Sequence, residues 1–279
     1  MSGGKAGVTV ADRELAALVN GRATTVAEVT VPAMDTGFTR GDGVFEVFRL
    51  YDGVPFMLQD HLDRLARSAA ALKLDYDVAA LERECRQICR MCRLDSTVRV
   101  IATRPGLRLA LEEINPVFPE AFAVYAVPHL VSPLMSGIKS LSYGANLAAH
   151  LRAIENDCDT GLFVTADSKR VLEGSFSNFV WASDGKLYTP PLTDGVLDGI
   201  TRQVLLQVTG CEERSCSIDD VMGADGAMLT GTGFECRPIS RIDGLFTRVF
   251  DTRCLTVTEA VDAVAREVAR RVESQRLTS

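Results

Sequence analysis

The chain has 279 residues, 30 basic against 37 acidic, and 47% of them are hydrophobic. That length suits one large domain or two modest ones with a buried core. The acidic balance lacks the basic footprint of a nucleic-acid binder, and no run approaches the ~18–20 apolar residues of a membrane helix. Met1–Gly7 is small and polar rather than signal-like. The expectation is a soluble, cytoplasmic protein with no nucleic-acid or membrane partner.

In chain order, residues 1–11 read as a loose tail. Short strand-like runs follow: LAALVNG, VAEVTV and VFEVFRLYDGVPFML. In the last, Asp52-Gly53 separates two apolar stretches and predicts a hairpin turn. HLDRLARSAAALKLDYD has apolar residues at helical spacing, and a second helix is expected over 78–92. Its cysteines, Cys85, Cys89 and Cys92, recur at i, i+4 and i+7. That is the buried stripe of a helix rather than a ligand set, and no metal or disulfide is expected. STVRVIATR and EAFAVYAVP predict two strands joined by a loop over 105–119.

At PHLVSP the pattern resets, which suggests a first domain over 1–127, a connection at 128–133 and a second domain over 134–279. The second part contains a helix expected at KSLSY, then GLFVTA and VLEGSFSNFVWASDGKLYTP, with Asp184-Gly185 as another hairpin turn. A helix is expected at 201–208 after DGVLDGIT, then the strand GAMLTGTGFECRPIS with a Gly-rich break, then the amphipathic helix VTEAVDAVAREVARRV. The architecture implied is α+β in two domains, with a site between them.

Several residues could carry chemistry. Lys139 lies in SGIKSLSYGANLAAH between Ile138 and Ser140-Leu141. Apolar surroundings favour a neutral amine, which can form a Schiff base; a solvated surface lysine is the alternative. Glu173 in VLEGSFSN sits in an apolar strand before a Gly-Ser turn, and a buried carboxylate needs a partner. A protonated ring nitrogen, a salt bridge or a turn cap would each serve. DGITRQVLLQV opens a helix whose first N–H groups favour an anion, and TGTGF is a second small-residue turn offering Thr232. Arg64 in HLDRL could meet a phosphate from the other domain or form a surface ion pair.

Taken together and in order, GDGVFEVFRLYDG, HLDRLARSAAAL, KSLSY-x-x-N, EGSFSN, LYTPPL and GITR resemble the fold type IV pyridoxal-phosphate enzymes over residues 18–242. This class IV aminotransferase family includes branched-chain aminotransferases, D-amino acid aminotransferases and aminodeoxychorismate lyases. The resemblance implies a small N-terminal α/β domain and a larger C-terminal domain with a barrel-like core, pyridoxal 5′-phosphate as cofactor, and a homodimer. By the same resemblance Lys139 carries the cofactor and moves the proton, and Glu173 meets the pyridine nitrogen. Arg64, the N–H groups of Ile200 and Thr201, and the Thr232 hydroxyl hold the phosphate. Leu197 packs on one ring face, and Tyr143 bonds the ring oxygen.

The substrate side departs from the family. FEVFR, with Phe45 and Arg49, mixes two branch patterns, and TRPGLRLALEE, with Arg104 and Arg108, matches neither the D-amino acid nor the branched-chain loop. The substrate residues expected are Phe45, Thr232, Gly233 and one of Arg49, Arg104 and Arg108. An arginine fork suits a substrate carboxylate, and the two loop arginines are placed ahead of Arg49. The implied reaction is a ping-pong transamination between an amino donor and a 2-oxo acid. An aminodeoxychorismate lyase is the alternative within the family, and a non-catalytic metabolite-binding protein the alternative outside it.

Overall fold

A computed structural model describes residues 14–92, 95–104 and 106–276. The expected tail at 1–11 lies outside the described residues. The first half builds β1 (Ala16–Val19), β2 (Arg22–Thr25), a short helix α1 (Thr36–Arg40), β3 (Gly43–Tyr51), β4 (Val54–Pro55), α2 (Leu58–Ala71), α3 (Val78–Met91), β5 (Ser96–Thr103) and β6 (Arg108–Glu113). Its strands form one antiparallel sheet in the order β2-β1-β6-β5-β3-β4.

Alternation along these strands gives the sheet two different faces. Val44, Phe48, Leu50, Val98, Val100 and Ala110 pack on Leu65, Ala69, Leu81, Cys85 and Ile88 of α2 and α3. The cysteine stripe is thus part of the core. Phe45, Val47, Arg49 and Arg99 belong to the opposite face.

The second half builds β7 (Phe122–His129), α4 (Gly144–Ile154), β8 (Thr160–Thr165), β9 (Arg170–Gly174), β10 (Ser177–Ser183), β11 (Lys186–Thr189), α5 (Ile200–Thr209), β12 (Glu212–Glu213), β13 (Cys216–Ser217), α6 (Ile218–Gly223), β14 (Gly226–Gly231), β15 (Glu235–Gly244), β16 (Arg248–Val249) and α7 (Leu255–Arg276). The ladder β10-β14-β15-β7-β8-β9 closes because β9 also pairs with β10. Phe122, Val124, Leu162, Phe179, Trp181 and Leu229 share the core of this six-stranded barrel. A second apolar layer packs α5 and α7 on the sheet through Val204, Leu205, Val257, Val264 and Val268. Each fully buried valine or leucine of that layer contributes about 1.5–3 kcal/mol.

The α+β expectation holds, with the barrel in the second half. Both Asp-Gly hairpins form with the left-handed pair of φ values that such two-residue turns require: 48° and 83° at Asp52-Gly53, 53° and 73° at Asp184-Gly185.

Four expectations change. VAEVTV is not a strand: the turn at Asn20-Gly21 fixes the β1–β2 register so that 22–25 pair with β1, and 26–28 form a 3-10 turn. The long loop expected at 105–119 is shorter, because Arg108–Glu113 alternates as β6 and pairs with both β5 and β1. KSLSY is extended rather than helical, and α4 starts after it. The division at 128–133 also moves, since β7, mostly inside the supposed first domain, is bonded to β8 and β15 of the barrel. The chain crosses to the second sheet between 113 and 122, and the segment after β7 passes back to the first.

Candidate active site

The returning segment places Lys139. The backbone runs beside the start of β3: Phe45 N–H donates to the Lys139 carbonyl at 3.0 Å, Leu141 N–H to the Gly43 carbonyl at 2.9 Å, and Ser140 bridges Val44. Lys139 N–H donates to Ser68 Oγ of α2 at 3.1 Å. The lysine amine is thereby held 4.5 Å from the centroid of the Phe45 ring and 5.5 Å from that of Tyr143. Burial, reinforced by the Arg64 charge, pushes its pKa down to about 8.

Glu173 lies at the end of β9, in register with Asn178 of β10. Its Oε2 accepts from Asn178 Nδ2 and from Leu197 N–H, both at 3.0 Å. Asn178 Nδ2 also donates to the Leu197 carbonyl at 2.8 Å, which fixes the turn before α5. Burial pushes the Glu173 carboxyl up to about 7, against the pull of the Leu197 N–H and the Lys139 charge. A buried carboxylate of this kind is suited to a cationic N–H partner.

Arg64 is fixed by three hydrogen bonds. Nε and Nη2 donate to the two oxygens of Glu46 at 2.7 and 2.8 Å, and Nη1 donates to the Asp198 carbonyl at 2.8 Å. His61, one turn earlier on α2, shares Glu46 through Nδ1 at 2.8 Å. Burial opposes ionisation of Glu46, but Arg64 outweighs it and holds the carboxyl down at about 2. Three of the five N–H donors of Arg64 are used, which leaves two for another acceptor.

One cleft of about 330 Å³ is lined by Lys139, Glu173, Arg64, Tyr143, Leu197, Ile200, Thr201 and Thr232, all eight residues expected to hold the cofactor. Two further features fit an anion in this cleft. Thr230 Oγ1 is buried there with no hydrogen-bond partner among the described residues. Gly199 caps α5, and a Cβ at that position would collide with Asn178 Oδ1. Only a glycine lets the start of α5 lie this close to the Asn178 side chain, and the first N–H groups of that helix favour an anion.

The substrate-side expectations fare differently. Phe45 stands beside the lysine amine, whereas Gly233 lies in the turn after β14, its carbonyl accepting from Arg49 Nη1 at 3.3 Å. Arg49, Arg104 and Arg108 do not line the cleft of their own chain. Arg104 is engaged by Asp42 at 2.9 Å and by the Leu72 and Lys73 carbonyls, both at 3.0 Å. Arg108 pairs with Ala102 in the ladder and so faces the helices, where it grips Glu84 of α3 at 2.8 Å. Within the chain, the forks of the two arginines placed ahead of Arg49 are engaged by Asp42, the Leu72 and Lys73 carbonyls and Glu84.

Sequence reasoning missed Glu46, His61, Asn178, Thr230 and Arg99. Part of the signal was present: alternation in FEVFR turns Glu46 toward α2, where the His-x-x-Arg spacing puts two partners on one helix face. Arg99 pairs with Val47 across the ladder, and its guanidinium lies 5.3 Å from the Phe45 ring, held by Glu113 at 2.6 Å.

Residues 43–242 match the profile of the family described as amino-transferase class IV. A D-alanine aminotransferase of Bacillus licheniformis is 30% identical over 251 residues, covering 81% of this chain and 88% of the relative. An aminodeoxychorismate lyase of Bacillus subtilis is 30% identical over 254 residues, covering 81% and 86%. The crystal structure of a branched-chain aminotransferase from Thermoproteus uzoniensis with norvaline superposes with a TM-score of 0.82 at 26% identity, over 92% of this chain and 95% of that one. The chain belongs to the class IV aminotransferases and is an enzyme.

Proposed function

We propose that the protein is a pyridoxal-phosphate-dependent aminotransferase moving an amino group between an amino acid or amine and a 2-oxo acid. The observation that carries this reading is one cleft joining a lysine of depressed basicity, a buried carboxylate and an anion cradle. Lys139 would hold the cofactor covalently, and Glu173 would meet its ring nitrogen. Arg64, the Ile200 and Thr201 N–H groups, Thr232 and the orphaned Thr230 hydroxyl would hold its phosphate, with Leu197 against the ring and Tyr143 at its oxygen. When bound, pyridoxal phosphate supplies an aldehyde that condenses with amines and a ring that withdraws electrons from the substrate α-carbon.

The chain's residues supply the rest. Lys139, with a pKa of about 8, is close to the working pH that suits a general base. Once free, its amine can take the α-proton and return it. Phe45 and Tyr143 restrict where that amine can swing. Glu173, kept ionised by a cationic partner, fixes a positive charge at the far end of the cleft, while Asn178 and the Leu197 N–H hold its orientation.

The test is a panel of amino donors, both enantiomers, against 2-oxoglutarate and pyruvate. Turnover that needs both partners supports the reading; pyruvate released from aminodeoxychorismate with no acceptor would instead support the lyase, whose cofactor residues would be the same. The reading includes a homodimer and a cytoplasmic location, which sedimentation and fractionation would check.

A further inference from the structure

The turn between β14 and β15 supplies Gly231 and Thr232 to the cleft, and it is gripped from behind by β3. Arg49 Nη1 donates to the Gly233 carbonyl at 3.3 Å and lies 3.9 Å from Glu235 Oε1. Tyr51 Oη donates to that same carboxylate oxygen at 2.7 Å, and the Arg49 guanidinium sits 4.5 Å from the Tyr51 ring centroid. Glu235 has φ +61°, a left-handed conformation that a residue with a side chain adopts only when its surroundings hold it there. On the opposite flank the Phe234 ring packs against Phe118 at 5.0 Å.

The same face of β3 carries Phe45 against the lysine amine and, further along, Arg49 and Tyr51 against this turn. At ~3.3 Å per residue, Phe45 and Arg49 are roughly 13 Å apart on one strand of fixed length. The strand therefore sets the distance between the lysine and the turn, although the two come from different parts of the fold.

We propose that Arg49, with Tyr51 and Glu235, is a positioning clamp that orients the 231–235 turn toward the phosphate of the cofactor and makes no contact with substrate. The clamp rests on the reading of the cleft as a pyridoxal-phosphate site. Its side chains hold the turn's outer carbonyl and its first β15 residue, so the Thr232 hydroxyl and N–H are left to face the anion. This accounts for an arginine near the end of β3 that does not line the cleft.

The test titrates apo-protein with pyridoxal phosphate and, separately, with pyridoxal, which lacks the phosphate. Arg49→Met should weaken pyridoxal phosphate binding tenfold or more and leave pyridoxal binding within about twofold, with Arg49→Lys recovering part of the loss. Glu235→Gly keeps the left-handed backbone without strain, so it removes the carboxylate without disturbing the fold. It should show the same selective loss at an unchanged Tm. The ³¹P resonance of bound cofactor should move in both variants. Equal weakening of both ligands together with a lower Tm would make Arg49 merely structural and overturn the clamp. Unchanged cofactor binding with a raised KM for the 2-oxo acid would place Arg49 on the substrate, which also overturns it. A parent protein that binds no pyridoxal phosphate would sink the underlying reading itself.

Discussion

At Lys139 the contest is between desolvation, which disfavours the ammonium, and the nearby carboxylates, which favour it. Desolvation wins, and the amine titrates near 8 instead of 10.5. Only the neutral amine attacks a carbonyl, so capture of pyridoxal phosphate by apo-protein should speed up as pH rises, about tenfold per unit below 8, and level off above it. Stopped-flow absorbance would follow this; a rate still climbing toward pH 10 would mean an ordinary lysine. Borohydride reduction and peptide mapping should place the label on Lys139, and Lys139→Ala should remove both label and turnover. Glu173→Gln keeps the hydrogen-bond geometry but removes the charge. It should spare labelling yet slow proton removal from the amino donor by on the order of a hundredfold, as single-turnover spectroscopy would show. Arg64→Ala strips Glu46 of its main partner inside the protein. It should weaken cofactor binding at least tenfold, and it should lower the unfolding free energy by roughly 3–5 kcal/mol, the usual consequence of orphaning a buried charge.

The β5–β6 hairpin shows what a strand's alternation decides. Arg104 and Arg108 read as binding residues when 105–119 is taken as a loop, but LRLALEE pairs on both edges and turns Arg108 toward α3. Arg104→Ala and Arg108→Ala should leave the KM for the 2-oxo acid within about twofold, under ~0.5 kcal/mol. Arg108→Ala should lower Tm, since Glu84 then stays behind with its side chain only 6% exposed. A several-fold rise in KM with Tm unchanged would return these residues to the substrate. The same hairpin explains where sequence reading succeeds. Asp52-Gly53, Asp184-Gly185 and the α2, α3 and α7 periodicities are local signals, and the elements form where they point. The eight cleft residues were legible because their spacing along the chain resembles a known family. Glu46 and Asn178 also act through partners 18 and 19 residues away, pairings that the periodicity of a single element does not expose. The short β6 was lost because an alternating run flanked by Gly and Pro also suits a loop.

Across the whole molecule, the cleft is made where two sheets meet, and some of the residues that join the two halves also shape the cleft. Arg64 bonds Glu46 of the first sheet and the Asp198 carbonyl ahead of α5, and the strand β3 reaches both Lys139 and the 231–235 turn. The barrel itself closes at a narrow place, since β9 and β10 share just the pairs Gly174↔Ser177 and Glu173↔Asn178. Two of those four residues, Glu173 and Asn178, orient the far end of the cleft. Such a short ladder is where local opening should begin, ahead of the longer β7–β8 and β10–β14 pairings. A ligand that binds only the closed form must suppress that opening by mass action. The amides of Ser177 and Asn178 should therefore exchange with deuterium quickly in apo-protein and slow with rising pyridoxal phosphate, while those buried in β7 stay slow throughout. The site would then act as the latch of the barrel, and loss of cofactor would first be felt as breathing along one seam.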